Sequence, residues 1–580
     1  MRRFSARLLA CAAWFAALPA AAFTPDVSQL QNLPLHMVHA PLAKAIEEAQ
    51  SKSTPYRFAV RAEMPLELTD GVWDEVDPAT ARWRLRVSSP GAQSLNLEFS
   101  RFHLPQGASL WIYDADGKLV QGPYTAANHT PEGKLWTAVV LGEQLVVELQ
   151  VPRPERDQVE LALGAVNHGF RGFGKVADPE GASNAGLGKS GACNVDTICP
   201  LGDNWRSQIR AVARYSLNGG VLCSGQLVNN QKQNLDPLFL TANHCGINAS
   251  GGPASSMVVY WRFENSTCNG GDDANPTFTQ SGATLLANDS KSDFALVRLN
   301  QAPSAHYNVY YAGWNASHTD TPQSGAVFHH PSGDAKKLAT YDSSSPTTPI
   351  KRNDFSFEIY SNVSVWEVSY SHGTTEAGSS GSALFDQNQR VIGTLSAGAA
   401  SCDDITGTDD YGRFEVAWDA RSAANQQLKN WLDPDGTNTL TLAGLAATST
   451  ANHTPAATND TFSVVNDAAT KLDVLANDTD IDGDALTITS ASGASHGTLA
   501  ISDSGSRINY SPTTGFNGTD TFTYSMWDGL GGTSGATVTV NIGTVAPPPA
   551  GGGGGGAMSP LAILAALIGS MVRRRHAPHR

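Results

Sequence analysis

Gly378-Ser379-Ser380-Gly381-Ser382 is a turn of very small residues that leads into the apolar run Ala383-Leu384-Phe385. In such a turn, a serine followed at once by glycine can stand clear of the backbone. The N–H groups of Gly378 and Ser380 would then point to one spot and form an oxyanion hole, which stabilises negative charge on a reacting carbonyl oxygen. Because most Ser/Gly-rich turns are plain loops, the motif gains meaning only from partners elsewhere in the chain.

Two upstream segments supply such partners. The apolar run 238–240 predicts a strand that delivers His244 at its end, and Asp293 directly precedes a second apolar run at 294–297. The order His, Asp, Ser is that of chymotrypsin-like double β-barrels, whereas α/β-hydrolases and subtilisin-like enzymes use other orders. The order therefore favours an all-β fold with two barrels.

Each of these three side chains has a defined chemical role at neutral pH. A serine hydroxyl is a weak nucleophile until a base removes its proton, so His244 would act as the base for Ser380. Asp293 would fix the imidazole tautomer and stabilise the imidazolium. Any one of the three alone is better explained as an ordinary structural residue. Their order, with Cys245 beside the histidine and glycines around the serine, favours a catalytic triad.

Several segments resemble the bacterial lysyl endopeptidases, a branch of the trypsin-like serine proteases. The resembling segments are 190–200, 223–230, 239–246, 329–331 and 378–382. The resemblance covers about residues 188–435. It implies a double β-barrel endopeptidase that cleaves after Lys through an acyl-enzyme.

Size and composition indicate a multidomain protein that carries no nucleic-acid signature. The chain has 580 residues, of which 41% are hydrophobic and 16% charged, enough for several cores. The net charge of −15 argues against nucleic acid as the main partner and suits an exported protein.

The first 187 residues divide into two parts. Residues 1–22, with three early arginines and an apolar run, are predicted to be a signal peptide. Residues 23–187 carry short alternating strands, such as 81–87 and 145–149, which predict a β-sandwich. Their place before the protease-like segment resembles that of a propeptide that assists folding and keeps the enzyme silent.

The start of the mature protease stays open between two sites. The family match places it at Gly188, after Leu187, whereas self-cleavage after lysine favours Ser190, after Lys189. In trypsin-like zymogens that are switched by a new amino terminus, the ammonium pairs with an Asp just before the nucleophile. Here that residue is the uncharged Ser379, so the sequence predicts that this switch is absent.

The cysteines indicate an oxidising compartment. Removal of Cys11 with the signal peptide leaves six, all within the predicted protease domain 188–445. Fifteen connectivities are possible in principle. The resemblance implies the pairs Cys193–Cys402, Cys199–Cys268 and Cys223–Cys245. A zinc site is disfavoured because the chain has neither an HExxH motif nor a CxxC pair.

Substrate preference is predicted from the segments after the nucleophile. The strand at 391–398, which includes Ser396, would form a wall of the S1 pocket, and the resemblance places Asp409 at the pocket base. A buried carboxylate there would bind an ammonium and reject neutral side chains. The alternative is that Asp409 and Asp410 lie in an exposed loop with Asp403 and Asp404. Where the family often has a His stacked on a Trp, this chain has Ser396, so Arg could be cleaved as well.

A linker at 446–459 leads to a second all-β segment at 460–545, which looks like a cadherin-like β-sandwich module. Adhesion or spacing is its expected role. Four acidic residues in one loop could ligate Ca²⁺ through oxygen, although a solvated turn is nearly as good an interpretation. These candidate ligands are Asp478, Asp480, Asp482 and Asp484.

The last segment, 546–580, contains a Pro/Gly-rich linker, an apolar run at 557–572 and an Arg-rich tail. It resembles Gly-rich C-terminal sorting signals that are removed after transit through the inner membrane; a retained weak anchor is the alternative. Either interpretation predicts the cell surface or the medium as the final site.

The sequence thus predicts a secreted serine endopeptidase that needs no cofactor for catalysis. The expected partners are protein or peptide substrates with Lys at P1, the export and sorting machinery, and the membrane transiently. The alternatives are a protease of broader Lys/Arg specificity and an inactive, protease-like surface adhesin.

Overall fold

A computed structural model describes the chain in fifteen segments, and the first 22 and last 37 residues lie outside them. The described residues are 23–42, 56–171, 190–247, 254–269, 274–317, 322–342, 348–352, 363–404, 406–419, 421–447, 454–480, 486–502, 505, 507–528 and 532–543. The chain splits into two compact units, Met1–Ala451 and Asn452–Arg580, and each is described by itself.

The N-terminal region, 23–171, is built from strands. These are β1 (Leu35–Met37), β2 (Tyr56–Arg57), β3 (Ala59–Glu67), β4 (Val72–Asp77), β5 (Thr80–Ser88), β6 (Ser94–His103), β7 (Ser109–Asp114), β8 (Val120–Tyr124), β9 (Leu135–Trp136), β10 (Val140–Leu141), β11 (Gln144–Pro152) and β12 (Glu160–Gly169). One sheet has the order β1-β5-β11-β7-β8 with β4 on β5, and the other has the order β10-β6-β12-β3 with β9 on β6.

The two sheets of the N-terminal region share one apolar core. Trp83, Leu85 and Val87 alternate along β5, and Leu95 and Leu97 enter the same cluster from β6. Alternate residues of a strand point to the same face, so each sheet contributes one apolar face. This is the predicted β-sandwich.

The central region, 190–447, is also built from strands. These are β13 (Val195–Asp196), β14 (Val212–Leu217), β15 (Val221–Leu227), β16 (Leu238–Thr241), β17 (Val258–Tyr260), β18 (Thr279–Ser281), β19 (Ala283–Asp289), β20 (Phe294–Leu299), β21 (Tyr310–Tyr311), β22 (Trp314–Asn315), β23 (Gly325–His329), β24 (Lys337–Tyr341), β25 (Thr348–Arg352), β26 (Val363–Val368), β27 (Ala383–Asp386), β28 (Val391–Gly398), β29 (Asp409–Arg413), β30 (Thr441–Leu442) and β31 (Leu445–Ala446).

Two large sheets form the predicted pair of β-barrels. The first has the strand order β18-β17-β14-β15-β16-β20-β19, and the second has the order β13-β24-β23-β27-β28-β29-β26-β25. Strands β22 and β30 pair with each other beside β28, and β21 pairs with β31. The core between the sheets draws Leu238 and Leu240 from the first and Phe328 and Phe385 from the second. Trp314 is completely buried against Trp418 in this core, so it is a packing residue.

The N-terminal region adds a strand to the first barrel sheet. Strand β2 pairs antiparallel with β15, with Tyr56 opposite Leu222 and Arg57 opposite Val221. Nearby, the hydroxyl of Tyr260 accepts a hydrogen bond of 3.1 Å from the backbone N–H of Val139. Backbone pairing and an apolar cluster therefore join the two regions.

The helices in the described residues of the first unit are short. The α-helices are α1 (Arg206–Ala211), α2 (Phe414–Asp419) and α3 (Lys429–Leu432). The 3-10 turns are Leu30–Asn32, Leu68–Asp70, Ala126–Asn128, Arg153–Gln158, Pro200–Trp205, Asn243–Cys245, Ala254–Ser256, Ala305–Tyr307, Pro331–Gly333 and Ala424–Gln426. No helix within the described residues is long and apolar enough to cross a membrane. The predicted apolar run 557–572 lies outside them.

Three disulfides cross-link the central region. They are Cys193–Cys402, Cys199–Cys268 and Cys223–Cys245, the pairs that the resemblance implies. The last joins β15 to the turn after β16. The first joins the start of the central region to the loop between β28 and β29.

The second unit is a separate β-sandwich. Its strands are β32 (Asp460–Val465), β33 (Thr470–Leu472), β34 (Thr487–Ser492), β35 (Gly497–Ser502), β36 (Arg507–Pro512), β37 (Gly518–Trp527) and β38 (Thr533–Gly543). The sheets have the orders β32-β38-β37-β34 and β33-β36-β35. Phe522, Tyr524 and Met526 alternate along β37 and face the core, where they meet Ile508 and Tyr510 of β36.

Candidate active site

The end of β16 places His244 against Asp293. Nδ1 of the imidazole lies 2.7 Å from Asp293 Oδ2, and the backbone N–H of His244 donates to Asp293 Oδ1 at 2.9 Å. The aspartate is 1% exposed. Both carboxylate oxygens are therefore engaged by the same residue, which fixes the imidazole relative to the carboxylate.

Asp293 occupies this position through an unusual backbone conformation at the start of β20. Its φ is 50°, in the left-handed region, which costs an L-residue about 1–2 kcal/mol. The preceding Ser292 is held by Asp289, whose Oδ2 accepts from both its N–H and its hydroxyl. This backbone conformation directs the Asp293 carboxylate toward His244, just after the end of β16.

The turn that carries Ser380 closes onto the same strand end. The carbonyl oxygen of Ser380 accepts from Ser224 N–H at 2.9 Å and lies 3.8 Å from Cys245 Sγ, next to the histidine. Gly381 has a φ of 83°, and a Cβ there would lie 2.1 Å from Thr241 Oγ1. Only glycine permits this close approach. Together with the contacts of Ser380 O, it brings together the segments that carry the three predicted catalytic residues.

The backbone of Gly378 and Ser380 has the donors that the sequence predicts for an oxyanion hole. Gly378 has a φ of 97°, and its carbonyl accepts from the Ser224 hydroxyl at 3.0 Å. The N–H of the intervening Ser379 bonds to Glu376 O at 3.0 Å. Within the described part of the chain, the N–H groups of Gly378 and Ser380 donate to no protein acceptor.

The two adjacent histidines of 329–330 have structural contacts. His329 Nδ1 lies 2.7 Å from Ser379 Oγ, and His330 Nδ1 lies 3.0 Å from the carbonyl oxygen of Asp334. Complete burial lowers the pKa of His329 to about 3, so this side chain is neutral. The His329–Ser379 contact beneath the nucleophile turn has no signal in the sequence.

Asp409 lies buried behind the nucleophile turn. Its Oδ2 accepts from Thr375 Oγ1 at 2.6 Å and from the Tyr370 hydroxyl at 2.9 Å, and its Oδ1 accepts from Ala400 N–H at 3.2 Å. Burial raises the pKa of Asp409 to about 6. The exposed-loop alternative is wrong for this residue, which is 1% exposed.

Ser396 lies on the strand next to Asp409. It sits at a bulge where the pairing of β28 with β29 shifts between Leu395 and Ala397, and it is 8% exposed. Two residues on, a Cβ at Gly398 would overlap Asp409 Oδ1. The carboxylate therefore packs directly against the backbone of this strand. Tyr370 and Thr375 are the contacts of Asp409 that sequence reasoning missed.

Two of the four candidate calcium ligands, Asp478 and Asp480, lie within the described residues. Asp482 and Asp484 are not among them. Asp478 accepts from Thr458 N–H at 2.7 Å and from the Tyr524 hydroxyl at 2.6 Å. In the part of the chain that the structure describes, no group of three or more His, Cys, Asp or Glu side chains could hold a metal ion.

Other proteins match this chain along most of its length. Residues 31–170 match the family model "Lysyl endopeptidase N-terminal domain", 187–412 match "Lysyl endopeptidase, C-terminal domain", and 452–541 match "Bacterial Ig domain". The "Lysyl endopeptidase" of Pseudomonas aeruginosa strain PAO1 is 28% identical over 396 residues, which are 62% of this chain and 79% of the relative.

Solved structures show weaker likeness. The Rv3671c protease of M. tuberculosis in its active form is 18% identical, with 37% of this chain and 80% of that chain covered and a TM-score of 0.25. A Glu endopeptidase in complex with MPD is 19% identical, with 36% and 86% covered and a TM-score of 0.25. With both lysyl endopeptidase domain models matched in order, the chain belongs to the lysyl endopeptidase family of serine endopeptidases and carries a C-terminal Ig-like module.

Proposed function

We propose that this serine endopeptidase cleaves peptide bonds on the carboxyl side of Lys, with Ser380 as nucleophile, His244 as general base and Asp293 as its orienting acid. The observation that carries the proposal is the 2.7 Å contact of His244 Nδ1 with the buried Asp293 carboxylate, beside the turn that offers Ser380. A buried carboxylate on Nδ1 leaves Nε2 as the nitrogen that can accept a proton.

The reaction follows from these positions. Ser380 Oγ attacks the scissile carbonyl while His244 Nε2 takes the hydroxyl proton, and Asp293 stabilises the imidazolium. The N–H groups of Gly378 and Ser380 donate to the oxyanion of the tetrahedral intermediate. His244 then returns the proton to the leaving amine, and water hydrolyses the acyl-enzyme by the same steps.

Lysine preference is proposed from the surroundings of Asp409. Thr375 and Tyr370 donate to the same oxygen and hold the carboxylate in one orientation. A substrate ammonium would compensate the buried charge, whereas a neutral side chain would leave it without a cation. A site built around a buried charge discriminates strongly against analogues that cannot pair with it.

A broader Lys/Arg specificity is the second candidate. Ser396 is a small residue on the strand against which Asp409 packs, where family members often carry a larger histidine. The smaller side chain would leave more room for a guanidinium.

The test is to sequence the peptides that the enzyme releases from one unstructured protein. Cuts confined to Lys support the first candidate, and comparable cuts after Arg support the second. Frequent cuts after large apolar residues would contradict the role of Asp409. Labelling of Ser380 by a serine-directed phosphonate, lost in Ser380→Ala, separates an enzyme from the inactive surface adhesin that the sequence left open.

Export and processing complete the proposal. The three disulfides fit an oxidising compartment outside the cytoplasm. We propose that residues 1–22 are removed on export and that 23–187 act as a propeptide of the protease domain 188–445, with 446–459 as linker to the module 460–545. Sorting through 546–580, transient membrane contact and calcium binding by the Ig-like module stay predictions. Residues 546–580, Asp482 and Asp484 lie outside the described ranges.

A further inference from the structure

The start of the central region is held by a carboxylate. Asp334 Oδ2 accepts from the backbone N–H of Ser190 at 3.1 Å and from its hydroxyl at 2.7 Å. The other oxygen, Oδ1, accepts from Ala335 N–H at 2.7 Å. Ser190 is the residue that follows Lys189, which lies outside the described residues.

A second carboxylate holds the next residues of the same segment. Glu376 Oε1 accepts from Gly191 N–H and from Asn194 Nδ2, each at 2.7 Å. Its Oε2 accepts from the Ser332 hydroxyl at 2.7 Å. A Cβ at Gly191 would lie 2.5 Å from Cys402 Sγ, so the segment is tightly enclosed.

Both carboxylates belong to segments that shape the candidate oxyanion hole. Glu376 lies on the loop that reaches Gly378. Asp334 follows the turn Pro331–Gly333, where Ser332 N–H donates to Ala377 O at 2.7 Å. A Cβ at Gly378 would lie 2.9 Å from His330 O, so the turn and the loop are in direct contact. The position of the Gly378 N–H therefore depends on this turn.

We propose that hydrolysis of the bond between Lys189 and Ser190 creates an amino terminus that pairs with Asp334, and that Asp334 and Glu376 are positioning residues for the oxyanion hole. The step consumes one water. The C–N bond breaks, Lys189 leaves with a carboxylate, and the Ser190 nitrogen takes up a proton to become an ammonium. The inference rests on the proposed function, because the cut follows a lysine.

The charges around Asp334 favour such an ammonium. Asp334 is faced by the guanidinium of the fully buried Arg214, which donates to Gly333 O and stacks on Phe263. Burial lowers the pKa of His330 well below its usual value, so this imidazole adds no charge.

The other charged or titratable groups around Asp334 include Lys336, Tyr56 and Arg171. Lys336 lies 3.5 Å from Glu264, which balances its charge. Burial raises the pKa of Tyr56 to about 12, which keeps this phenol neutral, and Arg171 stacks on its ring. Tyr56 and Arg171 both belong to the N-terminal region and leave with it. An ammonium at Ser190 would therefore add positive charge beside the carboxylates of Asp334 and Glu376.

This arrangement would replace the amino-terminal switch that the sequence predicts to be absent. The expectation was based on Ser379, which has no charge beside the nucleophile. In the structure Ser379 is held by His329, and the nearest carboxylates to the new terminus stand on Asp334 and Glu376. The amino-terminal charge would therefore act on the turn next to the oxyanion hole.

Two matched variants of the full chain test the inference. In the first, a factor Xa recognition sequence ending at residue 189 lets added factor Xa create the Ser190 terminus. In the second, the recognition sequence ends at residue 187 and Lys189→Gln blocks self-cleavage, so the chain starts at Gly188. We expect a kcat at least about 10-fold higher for the Ser190 start, since complete loss of one oxyanion-hole donor costs about 100-fold to 1,000-fold in kcat and a displaced donor costs part of that.

Asp334→Asn in both variants identifies the pair. The substitution should remove the advantage of the Ser190 start, so that the two starts have similar kcat values, with KM similar throughout. The advantage should also fade at alkaline pH as the amino group loses its proton, which for a free terminus occurs near pH 8. Equal kcat for the two starts would overturn this inference alone, whereas no turnover in either variant would also overturn the proposed function.

Glu376→Gln tests the second positioning residue. The amide keeps an oxygen that can accept from Gly191 N–H but removes the charge. We expect kcat to fall and KM to stay, because Asp409 is untouched. Asp435→Asn is the matched control, since Asp435 is exposed and pairs with the exposed Lys232 at 3.0 Å. An unchanged kcat in Glu376→Gln would contradict the role of Glu376.

Discussion

Thr375 Oγ1 donates a 2.6 Å hydrogen bond to Asp409 Oδ2, which joins the segment just before the nucleophile turn to strand β29. The Thr375 hydroxyl therefore links the proposed specificity group, Asp409, to the segment that leads to the proposed nucleophile, Ser380. A change in the charge of Asp409 would act where the substrate side chain is recognised and close to where its carbonyl is attacked.

The fall of kcat/KM at acid pH should reflect protonation of Asp409. Its pKa is raised to about 6 by burial, so in the free enzyme the carboxyl takes up a proton as pH falls through about 6. The neutral acid attracts an ammonium less, so kcat/KM for a Lys ester should fall about 10-fold for each pH unit below that value. An ester of a neutral residue of similar length is the control, and a limb of equal steepness for both esters would contradict the assignment.

Thr375→Val should move that limb to higher pH. The hydroxyl stabilises the ionised form of Asp409, so its loss raises the pKa of the carboxyl further. Thr374→Val is a matched control, because the Thr374 hydroxyl is buried and has no hydrogen-bond partner within the described residues. The pH dependence of kcat/KM for the Lys ester distinguishes the two. Identical limbs would show that the Thr375 bond does not tune Asp409.

Asp293→Asn should lower kcat by about 10⁴ with little change in KM. The amide keeps the shape of the side chain, but it stabilises the wrong imidazole tautomer and cannot stabilise the imidazolium. Both carboxylate oxygens contact His244, so a loss of a few kcal/mol of stability is a second possible cause of low activity. Thermal unfolding and phosphonate labelling measure folding and nucleophilicity separately. A variant that folds and retains most of its kcat would rule out this role for Asp293.

Gly381→Ala should prevent the nucleophile turn from closing. The new Cβ would lie 2.1 Å from Thr241 Oγ1 and 2.5 Å from Ser224 O, and the backbone must keep a φ of 83°. Gly436→Ala is the control: its φ is 65°, and the space around the new Cβ is open. The control should cost only about 1 kcal/mol of unfolding free energy, from the left-handed backbone. If Gly381→Ala were no more damaging in denaturant titrations and activity assays, the proposed close approach would be wrong.

Sequence could predict the candidate site because each part of it is a short local motif. His244, Asp293 and Ser380 each follow or precede an apolar strand, and a strand delivers its end residue to a defined edge. The contacts of His329 with Ser379 and of Tyr370 with Asp409 could not be predicted, since they depend on sheet register between residues 50 and 39 positions apart. Local patterns carry no information about that register.

The end of the central region shows the same limit. The amphipathic run 424–432 predicts one short helix, but the structure has a 3-10 turn, Ala424–Gln426, followed by α3. Gln427 is extended, with φ −139° and ψ 140°, and Leu428 N–H bonds to Ala417 O. The bond to a distant carbonyl, together with burial of Leu428, outweighs helix propensity, which is a weak preference of a few tenths of a kcal/mol per residue.

Within the described residues, strand β2 contributes Tyr56 and Arg57 to the first barrel sheet. If the N-terminal region departs after processing, Val221 and Leu222 lose these neighbours, and their main-chain polar groups on that side must be hydrated instead. An open rim of two residues spans about 7 Å, far shorter than the extended edges that recruit foreign strands into aggregates. Release of the N-terminal region would therefore expose a strand edge that is too short to recruit strands from other chains.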